Sequence, residues 1–175
     1  MFKSVLPTYY LEKLYTLEPE DLLNKGIKTI LCDLDNTIVP YYAEVATDEA
    51  KVFVDKLINK GLNFFILSNN HEPRVSKFCS SLNNEVKYSF ETGKPGIKKL
   101  KLFLEKHNLN IDECIIIGDQ LLTDCLMGNR IGMKSLLVEP ACKGDLLITK
   151  PNRFIDKRVR KHLKKKKMLK SIKED

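Results

Sequence analysis

Five apolar runs of strand length recur along this chain with segments of helical period between them, a rhythm that points to a parallel sheet flanked by helices. The expected strands are Ile27 to Cys32, Asn63 to Leu67, Val86 to Phe90, Cys114 to Ile117 and Lys134 to Val138. Helices are expected at Asp48 to Lys60, Glu72 to Leu82, Pro95 to His107 and Thr123 to Arg130. The first of these has Thr47 to cap its start and Gly61 to end it, and proline opens the third. A chain of 175 residues suits one domain with a full core and is too short for two ordinary ones. The expected organisation is therefore an α/β domain over residues 1–150, with a parallel sheet of about five strands, followed by a basic, helix-compatible tail over 151–175.

Chemistry-bearing residues stand just beyond the apolar runs. Asp33-Leu34-Asp35-Asn36-Thr37 follows the first, Ser68-Asn69-Asn70 the second, Lys94-Pro95 lies a few residues past the third, and Gly118-Asp119-Gln120-Leu121-Leu122-Thr123-Asp124 follows the fourth. In an open parallel sheet ligands bind beyond the carboxyl ends of the strands, so these four pieces are expected to converge. Asp33 and Asp35 can divide the work of phosphoryl transfer, one attacking phosphorus and the other handling the proton of the leaving oxygen. Lys94 can neutralise phosphate charge. Asp119 and Asp124 are hard oxygen donors of the kind that suits Mg2+. Each piece also has an ordinary reading: Asx-type turns at Asp33 to Asn36 and at Ser68, a solvated lysine at 94, and a helix-start acid at Asp124.

Order and spacing together resemble the haloacid dehalogenase (HAD) superfamily, in which D-x-D-x-T, a Ser or Thr, a Lys and G-D-x-x-x-x-D follow one another. The stretch Gly128-Asn129-Arg130-Ile131-Gly132-Met133, together with the Gly118 motif, is similar to the YqeG-type phosphatases of subfamily IIIA, which are themselves similar to phosphatidylglycerophosphatases of mitochondria, plastids and cyanobacteria. The resemblance covers roughly Leu6 to Val138. It implies a three-layer Rossmann-like core and a phosphatase in which Asp33 forms an aspartyl-phosphate and Asp35 is general acid and base. It also implies that Ser68 and Lys94 hold the phosphoryl group, with Thr37 and Asn69 as further candidate phosphate contacts, and that Mg2+ is bound by Asp33, the backbone carbonyl of Asp35, and Asp119, with Asp124 placing Lys94 or a metal-bound water. Neither the 35 positions from Asp33 to Ser68 nor the 26 from Ser68 to Lys94 leave room for a cap domain. An uncapped site suits a phosphate carried on something large, such as a lipid head group or a protein.

Charge and cysteine content narrow the field further. The net charge of +7 is concentrated at one end: between 157 and 175 there are ten Lys or Arg against two acids. With Ile155, Val159, Leu163, Leu169 and Ile172 among them, this end reads as a basic amphipathic helix for an anionic membrane surface, or as a solvated basic end. Tyr9, Tyr10, Leu11, Leu14 and Leu17 form a second apolar stripe. The five cysteines include no C-x-x-C pair, and none has an arginine six positions on, which sets aside a disulfide framework, a zinc site and a cysteine phosphatase. No run approaches the roughly 18 apolar residues of a membrane span, and no signal-peptide pattern opens the chain, so a cytoplasmic protein is expected, peripheral at the inner face of the membrane if the tail binds lipid. The expected substrate is then phosphatidylglycerophosphate; the alternatives are a soluble nucleotide, a sugar phosphate or a phosphoprotein, and, from a different class, RNA or ribosome binding through the lysine run.

Overall fold

A computed structural model of the protein describes residues 3–142 and 150–174. Six strands, β1 (Tyr9–Leu11), β2 (Thr29–Cys32), β3 (Asn63–Leu67), β4 (Tyr88–Ser89), β5 (Cys114–Gly118) and β6 (Lys134–Val138), form one parallel sheet in the order β1-β6-β5-β2-β3-β4. The helices are α1 (Pro19–Leu23), α2 (Asp48–Asn59), α3 (Glu72–Cys79), α4 (Lys98–Lys106), α5 (Leu126–Ile131) and α6 (Lys150–Lys165). This is the expected three-layer Rossmann-like architecture.

The apolar runs are continuous because both faces of the sheet are covered, as parallel sheets require. Along β2, β3 and β5, side chains alternate between two cores. Ile30, Cys32, Phe64, Ile66, Ile115 and Ile117 pack with Phe53, Val54 and Leu57 of α2 and with Val75 and Phe78 of α3. Leu31, Phe65, Leu67, Cys114 and Ile116 turn the other way, toward Leu100, Phe103 and Leu104 of α4 and Met127 of α5. Thr47 caps α2 as expected, its hydroxyl accepting the Ala50 N–H at 3.2 Å.

The sixth strand, β1, arises from the N-terminal apolar stripe: Tyr9, Tyr10 and Leu11 pair with Leu136, Leu137 and Val138, while Leu11, Leu14 and Leu17 enter the core. Three residues are too short for a period-2 pattern to show in sequence. Helix α4 starts three residues later than expected, because Gly93 at φ +70° and Gly96 close a turn, the Gly96 N–H donating to Gly93 O at 2.7 Å, before the helix begins. Lys94 thus stands on a turn and not at a helix start. The segment expected to be helical from Thr123 is a π-helical turn, Leu121–Cys125, that runs into α5.

Between β2 and β3 there is only a loop and α2, and between β3 and β4 only α3, so no cap domain is inserted. The expected domain boundary at 150/151 follows 143–149, which lie outside the described residues. Beyond it the chain does not stand off as a tail: Val159 and Leu163 pack with Val5, Leu121, Cys125 and Leu137, and Ile172 enters the main core. Burial of that apolar face removes the basis for reading it as a membrane-binding stripe; of the residues in that stripe, only Ile155 is exposed. No helix among the described residues is long and apolar enough to cross a membrane.

Candidate active site

Register brings the motifs together. Cys32 lies beside Ile66 on β3 and Ile117 on β5, so Asp33, Ser68 and Asp119 emerge at nearly the same level, just past the carboxyl ends of three adjacent strands. The chain runs outward from β2 through β3 to β4, then returns to β5 on the other side, which makes the β2/β5 pair the point where the strand order reverses and a crevice opens.

Lys94 is the hub of the site. Its ammonium lies 2.5 Å from Asp33 Oδ1, 2.8 Å from Asp124 Oδ1 and 3.1 Å from the Leu67 carbonyl, so all three of its donors are used in a nearly sealed position. Burial alone would pull this lysine down, but Asp124 and Asp33 outweigh it and hold the ammonium above its ordinary range. Burial pushes Asp33 up to about 6, against the pull of Lys94. Asp119, fully buried, is pushed up by burial to about 8, in spite of Arg153.

Asp33, Asp119 and Asp124 each offer a carboxylate oxygen within 4.8 Å of the others. Asp119 Oδ2 is buried and accepts no hydrogen bond of good geometry, although the Arg153 guanidinium lies against it as an ion pair. Three hard oxygens at this spacing fit a small divalent cation. Asp124 is itself fixed by the Gln120 N–H at 3.2 Å and the Thr123 hydroxyl at 3.1 Å. Gly118 is required here: a Cβ on it would stand 2.2 Å from Asp124 Cγ.

Asp35 faces a different set of partners. Its Oδ1 accepts from Arg74 at 2.9 Å and its Oδ2 from Asn70 at 3.1 Å, with the carboxylate partly exposed and outside the three-acid cluster. A carboxylate set apart from the cluster and partly open is in a position suited to proton transfer. Asn36 takes φ +64° between the two acids, and its side-chain oxygen accepts the Tyr41 N–H at 3.1 Å, so the turn chemistry of the motif falls to Asn36 while both acids remain available.

Two expected phosphate contacts have other work in the structure. The Thr37 hydroxyl faces carboxylates, 3.0 Å from Asp33 Oδ2 and 3.4 Å from Asp119 Oδ1. The Asn69 amide clamps the lysine loop: Nδ2 donates to Lys94 O at 3.1 Å, and Oδ1 accepts from Lys94 N and the Thr92 hydroxyl, both at 2.8 Å. Ser68 is buried at the crevice, its hydroxyl oxygen accepting the Asn70 N–H at 3.0 Å. Arg130 braces the same loop from α5, donating to Pro95 O at 2.9 Å.

Sequence reasoning missed the contribution of α6. Arg153, Asp156 and Arg160 are buried and reach the Asp119 segment. Their spacing of three and four places them on one helix face with Val159 and Leu163, and charges set within an apolar stripe are the signal that was available.

Comparison with known proteins agrees with this geometry. The HAD-hydrolase-like family model matches residues 91–142, which hold Lys94, Asp119 and Asp124. The chain is 34% identical over 164 residues, 94% of each chain, to a protein of Bacillus subtilis (strain 168) named "Probable phosphatase YqeG". The chain belongs to the haloacid dehalogenase superfamily of phosphatases. Among solved structures, the HAD fold is shared with 3-deoxy-D-manno-octulosonate 8-phosphate phosphatase of Moraxella catarrhalis, solved with magnesium, phosphate and the sugar acid (TM-score 0.52, 14% identity, 82% of this chain and 97% of that one). The cobalt-bound deoxy-D-mannose-octulosonate 8-phosphate phosphatase of Haemophilus influenzae also shares it (TM-score 0.51, 10% identity, 65% and 69% covered).

Proposed function

We propose that this HAD phosphatase is an Mg2+-dependent phosphomonoesterase working through an aspartyl-phosphate on Asp33, and that its substrate is phosphatidylglycerophosphate. The observation that carries the reaction is Lys94 bridging Asp33 and Asp124 just past the carboxyl ends of β2 and β5. In the first half-reaction the Asp33 carboxylate attacks phosphorus and forms an acyl-phosphate bond, while the bond to the leaving oxygen breaks and Asp35 delivers the proton that oxygen needs. In the second, Asp35 takes a proton from water, the water oxygen attacks phosphorus, and the bond to Asp33 breaks to release inorganic phosphate. Ser68 holds the transferring group throughout, and Lys94 does so by turning to it the donor that it gives Asp33 in the free site. Asp33, Asp119 and Asp124 would hold the Mg2+, with the Asp35 backbone carbonyl as a further expected donor. When bound, the cation offsets the charge that gathers on the phosphoryl oxygens.

The lipid reading draws support from the resemblance to phosphatidylglycerophosphatases, from the lack of a cap, and from the outer face of α6. That face presents Lys157, Arg158 and Lys161 beside exposed Phe154 and Ile155, on the helix whose Arg153 reaches Asp119. A second reading, a soluble sugar phosphate, is favoured by the names of the structural neighbours. Phosphate release from phosphatidylglycerophosphate in mixed micelles, set against release from p-nitrophenyl phosphate and a sugar phosphate panel, separates them. Mg2+-dependent release from the lipid that disappears in Asp33→Asn is the expected result. Release from soluble phosphates alone overturns the lipid substrate, and full turnover in Asp33→Asn overturns the nucleophile.

A further inference from the structure

Helix α6 carries three nearly sealed charged side chains, and all of them are turned to the same short segment past β5. Arg160 Nη2 donates to the Asp119 carbonyl at 2.6 Å, and its Nη1 donates to the Val138 carbonyl at 3.0 Å, tying the ends of β5 and β6 together. Asp156 Oδ1 accepts the Leu121 N–H at 2.6 Å, and its Oδ2 lies 3.2 Å from Arg160. Arg153 lies against the Asp119 carboxylate and within 3.4 Å of the Asp119 carbonyl. Glu139 completes the set, 3.2 Å from Arg160 and 2.8 Å from Lys164.

Burying three charges on one helix is costly, and an apolar face would dock α6 at least as well. What the charges add is a fixed position for Asp119, whose side chain points into the carboxylate cluster. Its carbonyl, its carboxylate and the N–H two residues on are all held from α6. Carboxylates that ligate a metal are commonly oriented by a second layer of hydrogen-bonding partners, and loosening that layer lowers cation affinity.

Resting on the cation reading above, we propose that Asp156, Arg160 and Arg153 are positioning residues of the site, so that docking of α6 and cation binding at Asp119 strengthen each other. Asp156 is the cleanest probe, because it touches the Leu121 backbone and Arg160 but not the Asp119 carboxylate. Such a coupling is reciprocal: whatever factor α6 docking adds to cation affinity, the cation adds to α6 docking.

The test is calorimetric titration of the full chain with Mg2+, paired with hydrogen exchange of the α6 amides with and without saturating Mg2+. Asp156→Ala is expected to weaken Mg2+ binding by about 10- to 100-fold. Asp156→Asn keeps an oxygen to accept the Leu121 N–H and is expected to recover most of that loss. In the native chain, Mg2+ is expected to slow exchange across α6. A folded Asp156→Ala chain that binds Mg2+ as the native chain does overturns the proposal, and so does α6 exchange indifferent to Mg2+; the latter decides the matter alone if Asp156→Ala does not fold. A native chain that binds no Mg2+ at all instead overturns the cation reading beneath it.

Discussion

Gly118→Ala offers a test of the site in which the substituted residue performs no chemistry. A Cβ at this position would lie 2.2 Å from Asp124 Cγ, 2.4 Å from Oδ2 and 2.5 Å from Cβ. Ordinary contact begins near 3.4 Å, so Asp124 must retreat by roughly 1.2 Å, the gap between that contact and the 2.2 Å approach. Rotating the carboxylate does not clear the clash, because Asp124 Cβ is itself too close; the π-helical turn must shift. The 2.8 Å bond from Lys94 to Asp124 then lengthens, to about 4 Å if the whole shift falls along it. Displacement of a phosphate-holding group by about 1 Å costs on the order of 10²-fold in turnover, and overpacking costs about 1–3 kcal/mol of stability. For a chain of this size each kcal/mol lowers Tm by roughly 2–4 °C. Gly128→Ala serves as comparator: its Cβ would meet Ile116 Cγ2 at 2.9 Å and Met133 O at 3.3 Å, none of them in the site. With p-nitrophenyl phosphate and saturating Mg2+, kcat is expected to fall about 10²-fold in Gly118→Ala and to be kept in Gly128→Ala, while thermal scans show both destabilised. Native kcat in Gly118→Ala, or an equal loss in the two variants, refutes the reasoning.

Lys94→Met leaves Asp33 and Asp124 buried without their shared cation; a loss of about 3–5 kcal/mol is expected by denaturant unfolding, partly restored by Mg2+. Asp35→Asn is expected to lower kcat by about 10²- to 10⁴-fold with Mg2+ affinity unchanged in calorimetry, because the Asp35 side chain faces Arg74 and Asn70 outside the carboxylate cluster; a large fall in affinity would contradict that separation. Burial pushes Asp119 up to about 8, and a cation requires the ionised form, so Mg2+ binding below that pH releases a proton. Affinity should strengthen by up to about tenfold per pH unit as pH rises toward 8 and level off above it, a dependence that repeated titration across pH would show. A folded-state value raised above the unfolded one also means that the cation-free protein loses stability as pH rises through the same window, which thermal scans in chelator would reveal.

How much of this was legible in sequence depended on whether a residue's role follows from its strand. The five apolar runs located five strands, and each motif's place just past a run was enough to anticipate that Asp33, Ser68 and Asp119 would meet, since parallel register does the rest. Lys94 was located by order and spacing, although the turn that carries it depends on Gly93 at positive φ and not on a helix start. The partners of Thr37 and Asn69 could not be read from sequence because they are decided by tertiary contacts: the same hydroxyl and amide that suit a phosphate oxygen also suit Asp33 and the Lys94 backbone. Arg153, Asp156 and Arg160 lie in a segment whose basic composition reads as a solvated face, whereas these three side chains turn inward to meet a segment some 35 to 40 positions away in sequence. β1 was out of reach for the same reason, since its pairing with β6 spans most of the chain.

Parallel sheets end in open edges, and here the two edges are treated differently. On the β1 side, Tyr10 N–H donates to Lys170 O at 2.8 Å and Tyr10 O accepts from Ile172 N–H at 3.2 Å, so the outward-facing backbone groups of Tyr10 are already answered by the last stretch of the same chain. On the β4 side the edge is two residues long. Neither offers a foreign strand a template of useful length. A molecule built this way resists edge-to-edge stacking even when crowded, and releasing residues 170–172 from Tyr10 would expose the longer of the two seams to self-association.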